Sequence, residues 1–327
     1  MESKNKVLMG MIVAVVIVFA AVGTYLVFNK ISTNEKEEQG SNTNGQEEQV
    51  VPVDVESELA KKLISYVSIS DSIFYKKEKV VLADLDTASQ YEMAFKEIEK
   101  EGITLGCDLT TMNEINQSND AKEEDCFAFE YTIPEQNLEK ALRSVLGEKA
   151  TPSKSETPIN FHFKTKWKYK DLSLQKGLSP FKDENFESFI GSDIFYDKNI
   201  KMFVGTYETQ GGGWADDGIY SKVESASKKG KVVTITEKVI FVGLNPITPD
   251  VVGYPKPTEY IIYADSNYSK KIGKLNIDDY DNMLHGNSSK SFDDLVNDYA
   301  NKAMTVIYTF EENGDGSYHF VSSEIQK

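Results

Sequence analysis

Residues Met304–Glu324 read MTVIYTFEENGDGSYHFVSSE. Two β-prone runs, MTVIYTF and SYHFVSSE, flank a turn whose Asn, Gly and Asp supply the backbone conformations that a reversal needs. The chain therefore closes on an antiparallel hairpin. Just before it, Ser291 can cap a helix carrying Phe292, Leu295, Val296 and Tyr299, and Asp294 completes a capping-box-like S-x-x-D.

Moving outward, the β character continues. Strands are expected over Met202–Glu208, Ile219–Ser225 and Val232–Val242, with Gly230 in the turn between the last two. Further strand segments are Glu259–Ala264 and Lys271–Leu275. In INFHFKTKWKY, residues 159–169, Ile159, Phe161, Phe163, Thr165, Trp167 and Tyr169 share one face, while Asn160, His162, Lys164, Lys166 and Lys168 share the other. That period of two marks a strand buried on one side.

The first half mixes helix and strand. Leu59, Leu63, Ile64 and Val67 fall on one helical face. Asp86 can cap a helix bearing Tyr91, Ala94, Phe95 and Ile98, closed by Gly102. Lys79–Leu82 is a short strand, and Phe127, Phe129 and Tyr131 alternate in another. Pro134 opens a helix with Leu138, Ala141, Leu142 and Val145 that ends at Gly147. The expected fold is α+β, mainly antiparallel sheet with a few packing helices, after one N-terminal transmembrane helix. A mixed N-terminal subdomain would occupy 55–150 and a β-rich C-terminal subdomain 151–327, divided by the Ser/Thr/Pro/Lys-rich stretch Ala150–Pro158.

The transmembrane helix is residues 7–28, VLMGMIVAVVIVFAAVGTYLVF, which carry no charge. As a helix they would span about 33 Å, close to a bilayer's hydrocarbon thickness. Lys4 and Lys6 precede the span; Glu35, Glu37 and Glu38 follow soon after it. This places residues 1–6 in the cytoplasm and the remainder outside. A cleaved leader, cut near Ala21 or Gly23, is the alternative, but its apolar core is normally only about 7–15 residues. Residues 29–54 then form an acidic, disordered linker; within it TNEKEEQGSNTNGQEEQ contains no apolar side chain to offset chain entropy.

Forty per cent of the 327 residues are hydrophobic and 11% aromatic, enough for a packed core. The formal net charge is −16, and Arg143 is the only arginine. Such a chain repels phosphate backbones and lacks the forked donors that grip them, so no nucleic acid partner is expected. Residues 7–28 make the membrane itself a partner. An envelope glycan or a membrane protein is the expected further one, and Gly10 and Ala14 have the small-xxx-small spacing of helix contacts.

Chemistry-bearing residues are few. Cys107 and Cys126 bracket a polar loop that a disulfide would staple in an oxidising compartment, stabilising by about 3 kcal/mol; two unrelated thiols are the alternative. His162, His285 and His319 are too widely spaced for a zinc motif, and no metal or cofactor is expected. Asp278, Asp279, Asp281 and Asn282 are dense oxygen ligands but break the calcium-loop pattern at Met283 and Leu284, so a solvated acidic loop is expected. Ser225-Ala226-Ser227-Lys228 fits the nucleophile pattern S-x-x-K without its companion motifs, and the match is discounted.

The most unusual stretch is Gly211–Gly218, GGGWADDG. Trp214 can stack on a sugar ring while Asp216 and Asp217 accept its hydroxyls; alternatively Trp214 folds back onto the core. The function expected is a non-enzymatic, surface-displayed interaction module. A hydrolase using paired carboxylates, with Asp216 and Asp217 as first suspects, and an accessory or sensory subunit of a membrane complex are the rivals.

The arrangement FYDKNIKMFVGTYETQGGGW, SKVESASKKGKVVTITEKVIF and the terminal YTFEENGDGSYHFVSSE resembles membrane-anchored extracytoplasmic proteins of low-GC Gram-positive bacteria. The likeness covers roughly residues 126–327. It implies a location, and no activity or site residue comes with it.

Overall fold

The computed structural model describes residues 49–69, 72–98, 103–107, 113, 117, 119, 129–164, 173–174, 190–207, 218–244 and 259–326. The expected tail, anchor and most of the linker lie outside them. Among the described residues no helix is long and apolar enough to cross a membrane.

The terminal hairpin is present, as strands β13 (Met304–Glu312) and β14 (Tyr318–Gln326). It sits inside an eight-stranded sheet. β13 runs along β10 (Val232–Leu244), and β10 along β9 (Gly218–Lys229). Gly230, at φ 56°, makes the turn between those two, a conformation glycine adopts without a Cβ penalty. Short strands close the sheet: β1 (Val50–Val53) on β9 and β2 (Lys79–Val81) on β14. β1 takes Val50–Val53, residues expected at the end of the disordered linker 29–54, because their backbone pairs with the edge of β9. Past Val239, where β13 stops, β11 (Glu259–Tyr263) becomes the partner of β10, and β12 (Lys271–Asn276) pairs with β11.

A second, six-stranded sheet has the order β5 (Ile159–Lys164), β7 (Ile190–Asp197), β8 (Met202–Tyr207), β4 (Phe129–Pro134), β3 (Thr104–Cys107) and β6 (Ser173–Leu174). Among the described residues only the β3–β6 pair of this sheet is parallel. The fold is thus α+β with mostly antiparallel sheets.

Helices α1 (Glu58–Val67), α2 (Thr87–Phe95) and α3 (Glu135–Leu146) pack between the two sheets. Each starts where the sequence offers a local signal. Ser57 accepts from the Ala60 amide, Asp86 accepts from the Ser89 amide at 2.8 Å, and Pro134 stands just before α3. Gly147, at φ 94°, ends α3. Tyr66 of α1 meets Phe310 of the large sheet edge-on, while Tyr91 and Phe95 of α2 meet Phe161, Phe203 and Tyr131 of the small one. One hydrophobic core therefore joins residues from 55–150 with residues from 151–327. A 3₁₀ turn, Ile73–Tyr75, drives Phe74 into that core against Tyr308 and Phe320.

On the opposite face of the large sheet lies a smaller core. There α4 (Ile277–Leu284) and α5 (Phe292–Asp298) cover Ile240, Val242 and Ile262 with Tyr280, Leu295 and Val296. Residues 278–282, expected as a solvated loop, are instead the body of α4. Asn276 accepts from the Asp278 amide, Asp278 and Asp279 oppose the positive end of the helix dipole, and Tyr280 and Met283 face inward. Ser291 and Asp294 form the expected capping box of α5.

Two strand glycines lie in close approach to neighbouring groups. A Cβ on Gly205 would meet the Tyr131 ring and the Asp193 carbonyl oxygen, and a Cβ on Gly273 would meet the Tyr299 ring. Asp193 is a bulged residue at φ 45°, held by a hydrogen bond from the Tyr131 hydroxyl to its carbonyl at 3.1 Å.

Candidate functional site

Trp214, Asp216, Asp217 and Cys126 lie outside the described residues, as does the side chain of Cys107. The strands on either side of the GGGW stretch end at Tyr207 in the small sheet and resume at Gly218 in the large one. His162 is on β5, its side chain likewise outside the described set. His285 follows α4 and is exposed, with Nδ1 2.7 Å from the Asp281 carbonyl oxygen. His319 of β14 is half-buried, its ring covers Gly147, and its Nδ1 is buried with no hydrogen-bond partner. Among the described residues, no group of three or more His, Cys, Asp and Glu is placed to hold a metal ion.

The S-x-x-K match dissolves in three dimensions. Ser225 pairs with Thr236 and Lys228 with Val233, so the two side chains leave β9 on opposite faces. Lys228 is engaged elsewhere. Its Nζ donates to Glu312 Oε2 at 2.8 Å and to the Tyr318 hydroxyl at 2.5 Å, and that hydroxyl donates to the same Oε2 at 2.8 Å. The ammonium also lies 5.2 Å from the centre of the Tyr318 ring. Bonding from Lys228, then from Tyr318, holds the Glu312 carboxyl below its ordinary value; Glu312 in turn raises Lys228.

A second polar cluster was not singled out from the sequence. On β10 the residues facing the main core are Val233, Ile235, Glu237, Val239 and Phe241. Four are apolar; Glu237 is a carboxylic acid at 2% exposure. Its Oε2 accepts from the Tyr308 hydroxyl at 2.8 Å and from the Tyr75 hydroxyl at 3.4 Å, with Ser221 of β9 as a third hydroxyl partner. The pairing of β9 with β10 shifts by one residue between Thr236 and Glu237, so the acid sits at a bulge. Burial pushes the Glu237 carboxyl above its ordinary value, against the pull of the Ser221, Tyr308 and Tyr75 hydroxyls. Burial, and then the neighbouring Glu237, also raises both tyrosines. The signal was present in VVTITEKVIFV: a strict alternation of two puts one acid among the apolar positions. A strand reading that stops at β propensity does not separate the faces.

The reverse face of the large sheet divides in two. Beyond Ile240 it is covered by α4 and α5. Before that point no described helix covers it, and it is lined with hydroxyls. Pro52, Ser227, Thr234, Thr309, Ser322 and Val81 are cross-strand partners in series across six strands. Ser225, Thr236, Ile307, Glu324 and Lys79 make the next row. Partners in register share a face, and adjacent strands stand about 4.7–4.9 Å apart. All four inner residues of the first row are half-buried, so each presents part of its side chain to solvent.

No family model, no curated protein and no solved structure matches the chain. The functional reading therefore rests on this geometry and on the sequence.

Proposed function

We propose that the chain is a single-pass membrane protein, anchored by residues 7–28 with its N-terminus inside. Its extracytoplasmic domain is a non-enzymatic module that binds a neutral, hydroxyl-rich polymer of the cell envelope. The observation that carries this reading is the row Ser227, Thr234, Thr309 and Ser322 on the half of the large sheet that α4 and α5 leave uncovered. Regularly spaced hydroxyls both donate and accept, which matches the alternating donors and acceptors of a glycan chain. A net charge of −16 disfavours anionic polymers and leaves a neutral one as the better fit.

The test uses full-length protein in detergent and insoluble envelope glycan from which charged side polymers have been stripped. Co-sedimentation is expected for the native chain. It should weaken by about tenfold in the double variant Thr234→Val, Thr309→Val, which keeps side-chain shape but removes two hydroxyls. Equal retention of the variant, or no retention of the native chain, overturns the reading.

A further inference from the structure

Glu237 is the one inward-facing acid on a strand whose other inward residues are apolar, and it touches three separate elements. Tyr75 reaches it from the 3₁₀ turn Ile73–Tyr75, Tyr308 from β13, and Ser221 from β9. These partners are hydroxyl groups, and none is a cation. The charged residues nearest along the strands look away: Lys238 leaves β10 on the other face, where its Nζ donates to Thr305 at 2.8 Å and lies 3.6 Å from Glu224. Both tyrosine bonds end on Oε2. A neutral acid in this place satisfies its neighbours without any buried charge. A carboxylate here must be held by hydroxyls alone, one of them at the long distance of 3.4 Å.

We propose that Glu237 is a proton-operated latch, holding the Ile73–Tyr75 turn against the large sheet when neutral and loosening it when charged. The turn is suited to that role. Its far side is fixed by a bond from Ser266 Oγ to the Tyr75 carbonyl at 2.7 Å, so motion at Tyr75 is passed to the β11–β12 connection. Its own backbone is held lightly: the Lys76 and Lys77 amides share the Ile73 carbonyl, at 3.1 and 3.2 Å. The protein would take up one proton as the turn docks and release it as the turn opens, with no other reactant needed.

Amide hydrogen exchange across residues 72–77, in full-length protein between pH 5 and 8 and corrected for intrinsic exchange, tests the latch. Protection in the native chain is expected to fall by up to about tenfold per pH unit above the ordinary carboxyl value, while Glu237 is still neutral in the closed form, and to level off once the closed form ionises as well. In Glu237→Gln, which keeps an oxygen acceptor for both tyrosines, the profile should be flat. A native profile that is flat, or one that the variant reproduces, overturns the proposal. A carbon-13 titration of the Glu237 carboxyl in the native chain guards against a variant that fails to fold: a midpoint at or below the ordinary 4.5 overturns it without any substitution.

Discussion

Glu237 and Glu312 lie on neighbouring strands of one sheet, and each accepts a hydrogen bond from a tyrosine hydroxyl of the terminal hairpin at 2.8 Å. Their proton affinities nevertheless move in opposite directions. Glu237 is sealed from water and paired with hydroxyls, so desolvation dominates and its carboxyl is raised. Glu312 keeps a side-chain exposure of 30% and has Lys228 against it, so bonding to the ammonium dominates and its carboxyl is lowered. A tyrosine partner is common to both and decides neither. What separates them is whether water or a cation is present to share the charge.

The largest break in this comparison is Glu237→Ala. It strands the Tyr75 and Tyr308 hydroxyls in the core without their acceptor and opens a cavity at the bulge. A loss of about 3–5 kcal/mol is expected, read as a lower urea midpoint with an unchanged slope. Partial folding at room temperature would be the extreme form of the same outcome. A loss below about 1 kcal/mol would mean that water enters and replaces the acid.

Tyr308→Phe is smaller and depends on pH. Removing one hydroxyl should cost about 1 kcal/mol while the acid is neutral and about 2–3 kcal/mol once it is charged, because bonds to ions are the stronger. Linkage fixes the direction. Glu237 has a raised folded-state value, so its contribution is fully present below the ordinary 4.5 and is lost as pH rises through the raised value. Urea melts of both proteins from pH 4 to pH 8 should therefore diverge on the alkaline side. Curves that stay parallel would show that the acid does not ionise in this range.

Glu312→Gln is the smallest, and its pH dependence is opposite. Its folded-state value is lowered, so the stabilisation from Lys228 and Tyr318 is present above the ordinary carboxylate value and is lost as pH falls through the lowered one. The native chain should melt slightly higher than the variant at neutral pH and coincide with it in acid. Added salt should shrink the difference, since the pair is partly exposed. A gap that persists in acid would point to packing of Tyr318 rather than charge.

The two regions also differ in how far they could be read ahead of the structure. The terminal hairpin, the capping box at Ser291 and Asp294, the Asp86 cap and the glycine ends at Gly147 and Gly230 were all legible. Each is decided by hydrogen bonds or backbone angles within a few residues of the signal. α4 was misread because its acidic residues were weighed as ligands for a loop; the Asn276 cap and the inward pair Tyr280 and Met283 carry the helical signal. Of the candidate site, Trp214, Asp216 and Asp217 came from composition alone. Glu237 was visible only to a reader who sorted β10 by face.

By itself the sequence determined the α+β class, the ends of several elements and an inward face on several strands, because alternation and capping act over short separations. Tertiary structure alone decided that the strands divide into two sheets with α1–α3 between them. It likewise decided that Glu237 meets Tyr75 from 162 residues away, and that Ser227, Thr234, Thr309 and Ser322 stand in one row. Register across a sheet is set by which faces the closing core can bury, and that is a property of the whole packed chain rather than of any window within it.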